Sequence, residues 1–151
     1  MAIELAIQSD GIDIGRHSEH LEKVLNKIFS GLTVPKIAVE NINQEEQHVR
    51  LKDRSGSVQL LKFSIPDTAN KHLESYLNIA VIERSSASII LMVSVAITIA
   101  QVENTYILDD AKLFGKMEHY PDSLLLSMSV DSDKTDLEEF SKAICQKFNL
   151  F

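Results

Sequence analysis

Along the chain the spacing of hydrophobic and polar positions changes several times, and each change predicts an element. From Ala2 to Gln8, Ile3, Leu5 and Ile7 alternate with Glu4 and Ala6, the period of a strand with one buried face. The segment SDGIDIGR follows as a loop marked by Gly11 and Gly15. The period then lengthens. Leu21, Val24, Leu25, Ile28, Phe29 and Leu32 recur at helical spacing and predict a helix over Ser18–Ser30 with one apolar face. Ser18 suits its N-cap and Glu19 its positive end, Glu19 and Lys23 pair on the outer face, and Gly31 is the expected stop.

The period of two returns after Pro35. Lys36–Asn41, His48–Lys52 and Ser57–Ile65 predict three strands, with a polar turn at Asn43–Glu46 and a hairpin loop, DRSGS, centred on Gly56. Pro66 is expected to end the third of these, with PDTAN as a further turn. Lys71–Glu83 carries Leu73, Leu77, Ile79 and Val81 on odd positions, which predicts a strand pairing back on its predecessor. A helix over Thr68–Tyr76 fits the same residues.

The rest of the chain is organised around the stretch from Ser85 to Asp110. Its β-branched residues between Ile89 and Ile99 favour a strand, but fourteen residues from Ala87 to Ala100 without Gly or Pro are long for one. Ala87, Leu91, Val95 and Ile99 share a helical stripe, so the expectation is a buried helix over Ser86–Glu103 feeding a core strand, Thr105–Leu108. A membrane span needs about 20 apolar residues, and Ser88, Ser94 and Thr98 interrupt this run. Beyond it, AKLFGKMEHY is irregular or a loose hairpin around Gly115. Pro121 and Asp122 open a short helix bearing Leu124, Leu125 and Met128, although Leu124, Leu126, Met128 and Val130 alternate as a strand would. A last helix starts at a Thr135–Glu138 capping box and buries Leu137, Phe140, Ile144 and Phe148. These elements predict a single α+β domain over residues 1–151. Its mostly antiparallel sheet has about five to six strands, with about three main helices packed mainly on one face.

Composition adds little to this picture until charge is counted. One cysteine, Cys145, leaves no internal disulfide, and MAIELAIQSDGID does not read as a signal peptide, so the expectation is a cytoplasmic chain. The net charge of −7 argues against direct binding of nucleic acid. Between Glu103 and Glu139 ten acids face three bases, while the remainder holds 12 of each, so the whole excess sits in the final third.

Catalytic and metal-binding patterns are sparse. Gly11 and Gly15 do not form a phosphate loop, and Ser9, Asp10 and His17 lack a specific triad spacing. His17 and His20 are three apart without a third ligand. Asp109, Asp110 and His119 are the best candidates for an enzymatic site, at a strand end and in the acidic loop that follows; His119 with Glu118 and Asp122 otherwise reads as an exposed polar loop. The charge distribution favours a protein partner instead, contacted by Asp109, Asp110, Glu118, Asp122, Asp131 and Asp133, with no cofactor and no metal. An adaptor subunit of a larger complex is the other non-enzymatic reading.

The segments SIILMVSVAITIA, TYILDD and HYPDSLLLSM stand in the order core helix, strand ending in Asp, and Tyr-Pro step into a Leu-rich helix. In this, Ser86 to Phe148 resembles the C-terminal half of small bacterial immunity proteins that neutralise polymorphic or contact-dependent toxins. The resemblance implies a cytoplasmic, non-enzymatic inhibitor of one cognate toxin, without a cofactor. Many such toxins are nucleases with basic substrate surfaces, which an acidic protein could cap with steering by charge.

Overall fold

The computed structural model describes residues 3–11, 13–67, 72–129 and 136–150. Among them seven strands form one sheet: β1 (Glu4–Gln8), β2 (Ile37–Asn41), β3 (Glu46–Leu51), β4 (Ser57–Asp67), β5 (His72–Val81), β6 (Ile107–Leu108) and β7 (Glu118–His119). Their order is β2-β3-β4-β5-β1-β6-β7, and every neighbouring pair is antiparallel. Three consecutive hairpins build β2 to β5. The N-terminal strand then inserts between β5 and β6, with Leu5 against Ile79 and Ala6 against Leu108.

Four α-helices accompany the sheet among the described residues: α1 (Ser18–Ile28), α2 (Ser86–Glu103), α3 (Pro121–Ser127) and α4 (Leu137–Lys147), with a 3-10 turn over Ile14–His17 leading into α1. The predicted α+β class, the antiparallel sheet and the central helix are as the spacing implied. α2 rests on β1, β4, β5 and β6, and α1, α3 and α4 pack against it from the other side. It is therefore an inner layer, which explains why every residue from Ala87 to Ala100 is buried and why it has no polar stripe. Its hydroxyls are satisfied locally: Ser94 Oγ donates to the Ile90 carbonyl (2.7 Å) and Thr98 Oγ1 to that of Ser94 (2.8 Å). Ser85 caps its start by accepting from Ser88 N (3.1 Å), and Asn104, in the left-handed region at φ 54°, closes its end. By length and composition α2 could cross a membrane, but its apolar residues from Ala87 to Ala100 are covered by the chain's own layers.

The β3–β4 turn is seated on the start of α2. Ser57 N donates to Ser88 Oγ (3.0 Å), and Ser85 Oγ donates to the Ser55 carbonyl (2.9 Å). A Cβ on Gly56 would stand 3.0 Å from the backbone carbon of Ala87 and the amide of Ser88. The glycine that seemed only to mark a hairpin therefore permits a close approach to the core helix.

Several boundaries differ from the sequence reading. Pro66 does not end β4; it pairs with Leu73. β3 accompanies β4 only as far as the Glu46–Leu61 pair, so the far half of β4 has an open side on which the missing N–H costs no ladder bond. The Lys71–Glu83 region is the strand β5, and the Leu124 segment is the helix α3. The strand expected at Thr105–Leu108 is only Ile107–Leu108, because Thr105 N is taken by the α2 carbonyl of Ala100 (3.0 Å). AKLFGKMEHY forms the loose hairpin around Gly115: AKLFGKM lies in the β6–β7 connection and EH is β7, and the loop also places Phe114 against Phe148 (centroids 5.1 Å apart). Ser18 is not a side-chain cap; its hydroxyl donates back to the Gly15 carbonyl. Thr135 lies outside the described residues, and Asp136 caps α4 by accepting from Glu138 N (2.8 Å) and Glu139 N (3.3 Å).

Candidate functional site

The two adjacent carboxylates at the end of β6 part company. Strand alternation turns Ile107 inward, and Asp109 continues on that side, fully buried. Its backbone N–H closes the hairpin on the Met117 carbonyl (2.7 Å). Its carboxylate then organises the loop: Oδ1 accepts from Leu113 N (2.8 Å), and Oδ2 accepts from Phe114 N (2.9 Å). His119, paired across from Ile107, also points inward, and its Nε2 stands 3.0 Å from Asp109 Oδ2. His119 is only 4% exposed, so it does not belong to the polar loop in which the sequence seemed to place it. Both Asp109 oxygens are engaged in holding the loop, and Asp109 offers no exposed carboxylate to a partner.

Asp110, Glu118 and Asp122 face outward. Glu118 lies opposite Leu108 on the outer side of the β6–β7 pair. Asp122, in the first turn of α3, accepts from Gln101 Nε2 (2.9 Å), whose Oε1 stands 2.7 Å from His20 Nε2, so a polar chain links α1, α2 and α3. Asp131 and Asp133 lie outside the described residues. Ser9 Oγ donates to Glu103 Oε1 (2.7 Å), which ties β1 to the end of α2 and leaves no triad with Asp10 and His17. Among the described residues no group of three or more His, Cys, Asp or Glu side chains is placed to hold a metal ion.

The acids share this edge with two residues the sequence reading passed over. Tyr106 and Tyr120 flank β6 and β7 on the outward side, with centroids 4.8 Å apart in an edge-on contact, and they are 45% and 60% exposed. A hydrogen bond with the neighbouring Tyr120 hydroxyl, with a smaller contribution from Glu118, pushes the Tyr106 phenol above its ordinary value. The signal was present: Tyr106 and Leu108 alternate with Ile107 and Asp109, which places the tyrosine on the face opposite the core.

A separate cleft of about 670 Å³ opens where α4 meets the start of α2, between Arg84, Ser86, Lys142 and Cys145. Burial pushes the Cys145 thiol up to about 11, from an ordinary value of 9.0. A raised thiol pKa favours the neutral folded form, so this group costs stability as pH rises past about 9 toward 11, where the unfolded thiol ionises first. At pH 8 the native thiolate fraction should be about a hundredfold lower than in the unfolded chain. Iodoacetamide should therefore label native protein at least that much more slowly than protein in denaturant; equal rates would show that α4 does not cover the thiol.

No protein-family model matches the chain, and no curated protein and no solved structure is significantly similar to it.

Proposed function

We propose that this chain is a binding protein of the toxin-immunity kind, which neutralises a basic protein domain in the bacterial cytoplasm by covering its substrate surface. The observation that carries this reading is the division of labour among the acids of the final third. Asp109 is consumed in the fold, whereas Asp110, Glu118 and Asp122 are exposed, Glu118 next to Tyr120 and the exposed tyrosine pair of the β6–β7 edge. Exposed carboxylates contribute about 0–1 kcal/mol each to folding, so their concentration is better explained by a partner than by stability.

The test is co-expression with the product of the gene immediately upstream. That product should carry a growth-inhibiting domain whose effect this chain relieves. With the purified pair, Asp110→Lys and Glu118→Lys should each slow association several-fold at low salt and flatten its salt dependence, because exposed charges act mainly on the on-rate. Melting temperatures should stay within a degree or two of the parent. Unchanged association at low salt for both variants returns these acids to a role in solubility.

A further inference from the structure

The open face of the sheet carries the inference furthest. All four α-helices lie on the other side, so the outward rows of the strands meet solvent. Register aligns these rows. Phe63 stands opposite Tyr76, and Tyr76 opposite Gln8. Two residues along from the Ala6–Leu108 pair, Tyr106 comes level with Gln8, and one residue along from the Ile107–His119 pair, Tyr120 comes level with Tyr106. One row crossing five strands therefore reads Phe63, Tyr76, Gln8, Tyr106, Tyr120. The chain has three tyrosines, and all three stand in this row. Phe63 and Tyr76 stack with centroids 5.5 Å apart, and Tyr106 meets Tyr120 edge-on at 4.8 Å.

Acids bound the row. On one side the parallel line of residues runs from Glu46, opposite Leu61, to Glu118, opposite Leu108. On the other, Glu74 accepts the Tyr76 hydroxyl at 2.8 Å. Glu4 and Glu40 lie on the same face, and Arg50 is the one arginine or lysine among the outward positions of the described strands. Counted along the sequence, the first 102 residues carry 12 acids against 10 bases; folded, the sheet sets four of these acids, Glu4, Glu40, Glu46 and Glu74, on the same face as Glu118.

We propose that this face is the docking surface for a protein partner that presents arginine or lysine side chains, which lie on the tyrosine rings and pair with Glu74 and Glu118. Aromatic faces attract cations, and tyrosine is a frequent anchor at the centre of protein interfaces. Flanking carboxylates disfavour a nucleic acid on the same rings. They also disfavour a second copy of this chain, since like charges would meet across the contact. The inference rests on the binding-protein reading above and locates its surface.

The experiment uses the full chain, labelled with 15N, and tetra-arginine amide as the probe, with tetra-glutamate as the control. Tetra-arginine should shift amide signals around Tyr76, Tyr106, Tyr120 and Glu118, in a salt-sensitive manner. The double variant Tyr106→Ala/Tyr120→Ala should weaken binding about tenfold. Glu118→Gln, which keeps the side-chain shape, should weaken it several-fold. Both rings are about half exposed, and unchanged circular dichroism melts would show that the variants fold. Shifts centred on Asp122 and α3, or equal binding by the double variant, overturn the proposal. So does a concentration-dependent dimer that masks the tyrosines without peptide, which would assign the face to self-association. Binding to the tyrosine row by a chain that gives no protection against the upstream gene product leaves this surface standing and removes the immunity reading. Full protection by the double variant removes the surface and leaves that reading in place.

Discussion

Replacing Asp109 with alanine is expected to lower the stability of the fold by about 3–5 kcal/mol, a large part of the 5–15 kcal/mol that holds a typical domain together. The carboxylate is fully buried and terminates three donors: the amides of Leu113 and Phe114 and Nε2 of His119. Alanine leaves all three without a partner in a space that water does not reach, and each orphaned polar group carries its own desolvation penalty. The loss spreads beyond the loop, because Phe114 is positioned by that amide bond and packs on Phe148 next to α4. Asp109→Asn keeps one acceptor oxygen but turns an N–H₂ toward the remaining donors, so a smaller loss of about 1–3 kcal/mol is expected. Asp110→Ala, one residue away and exposed, should change stability by less than about 0.5 kcal/mol. Urea unfolding of the three variants at pH 7, followed by circular dichroism, measures all of this. Equal effects at positions 109 and 110 would show that the carboxylate does not organise the loop.

The second large effect belongs to α2. Truncating Ile89, Ile90, Leu91 or Ile97 to alanine should each cost about 2–5 kcal/mol, from lost burial together with the cavity left behind. The distinctive expectation is the lack of periodicity. On a surface helix, the cost of truncation rises and falls with the 3.6-residue turn, since one face is exposed. Here each of the four side chains is fully buried, some toward the sheet and others toward α1, α3 and α4, so no face is cheap to truncate. A scan in which Ile89, Ile90 or Leu91 lost less than about 1 kcal/mol would mean that one of the covering layers is not in place. The same scan on α1 should alternate, with Leu21, Val24, Leu25 and Ile28 costly and Glu19, Lys23 and Lys27 nearly neutral.

Much of the architecture was legible because local spacing and burial agree. α1, β1 and β5 each have a single buried face, and a single buried face writes its period directly into the residues. α2 was legible for another reason: its length without Gly or Pro and the helical stripe of Ala87, Leu91, Val95 and Ile99 outweighed the strand preference of its Ile and Val residues. Pro66 was misread because a proline's cost depends on whether a neighbouring strand needs its N–H, and only the register of β3 against β4 decides that. Asp109 and Asp110 could not be separated from composition either. They are adjacent and chemically identical, and their opposite fates follow from which side of β6 faces α2.

The sequence by itself determined most of the elements and their amphipathic faces, the buried central helix and the concentration of acids after it, because these are properties of neighbouring residues; it left helix or strand open at the Leu124 segment and over Thr68–Tyr76. The tertiary structure decided what lies beside what. Inserting β1 between β5 and β6 brought Gln8 level with Tyr76 and Tyr106, which are 30 residues apart in the chain, and so aligned the aromatic pairs of two separate hairpins into one row. It also turned His119 from a presumed surface residue into the partner of a buried carboxylate. Period assigns a residue to a face, but strand order and register choose its neighbours there, and both are set by the global packing of the sheet against α2.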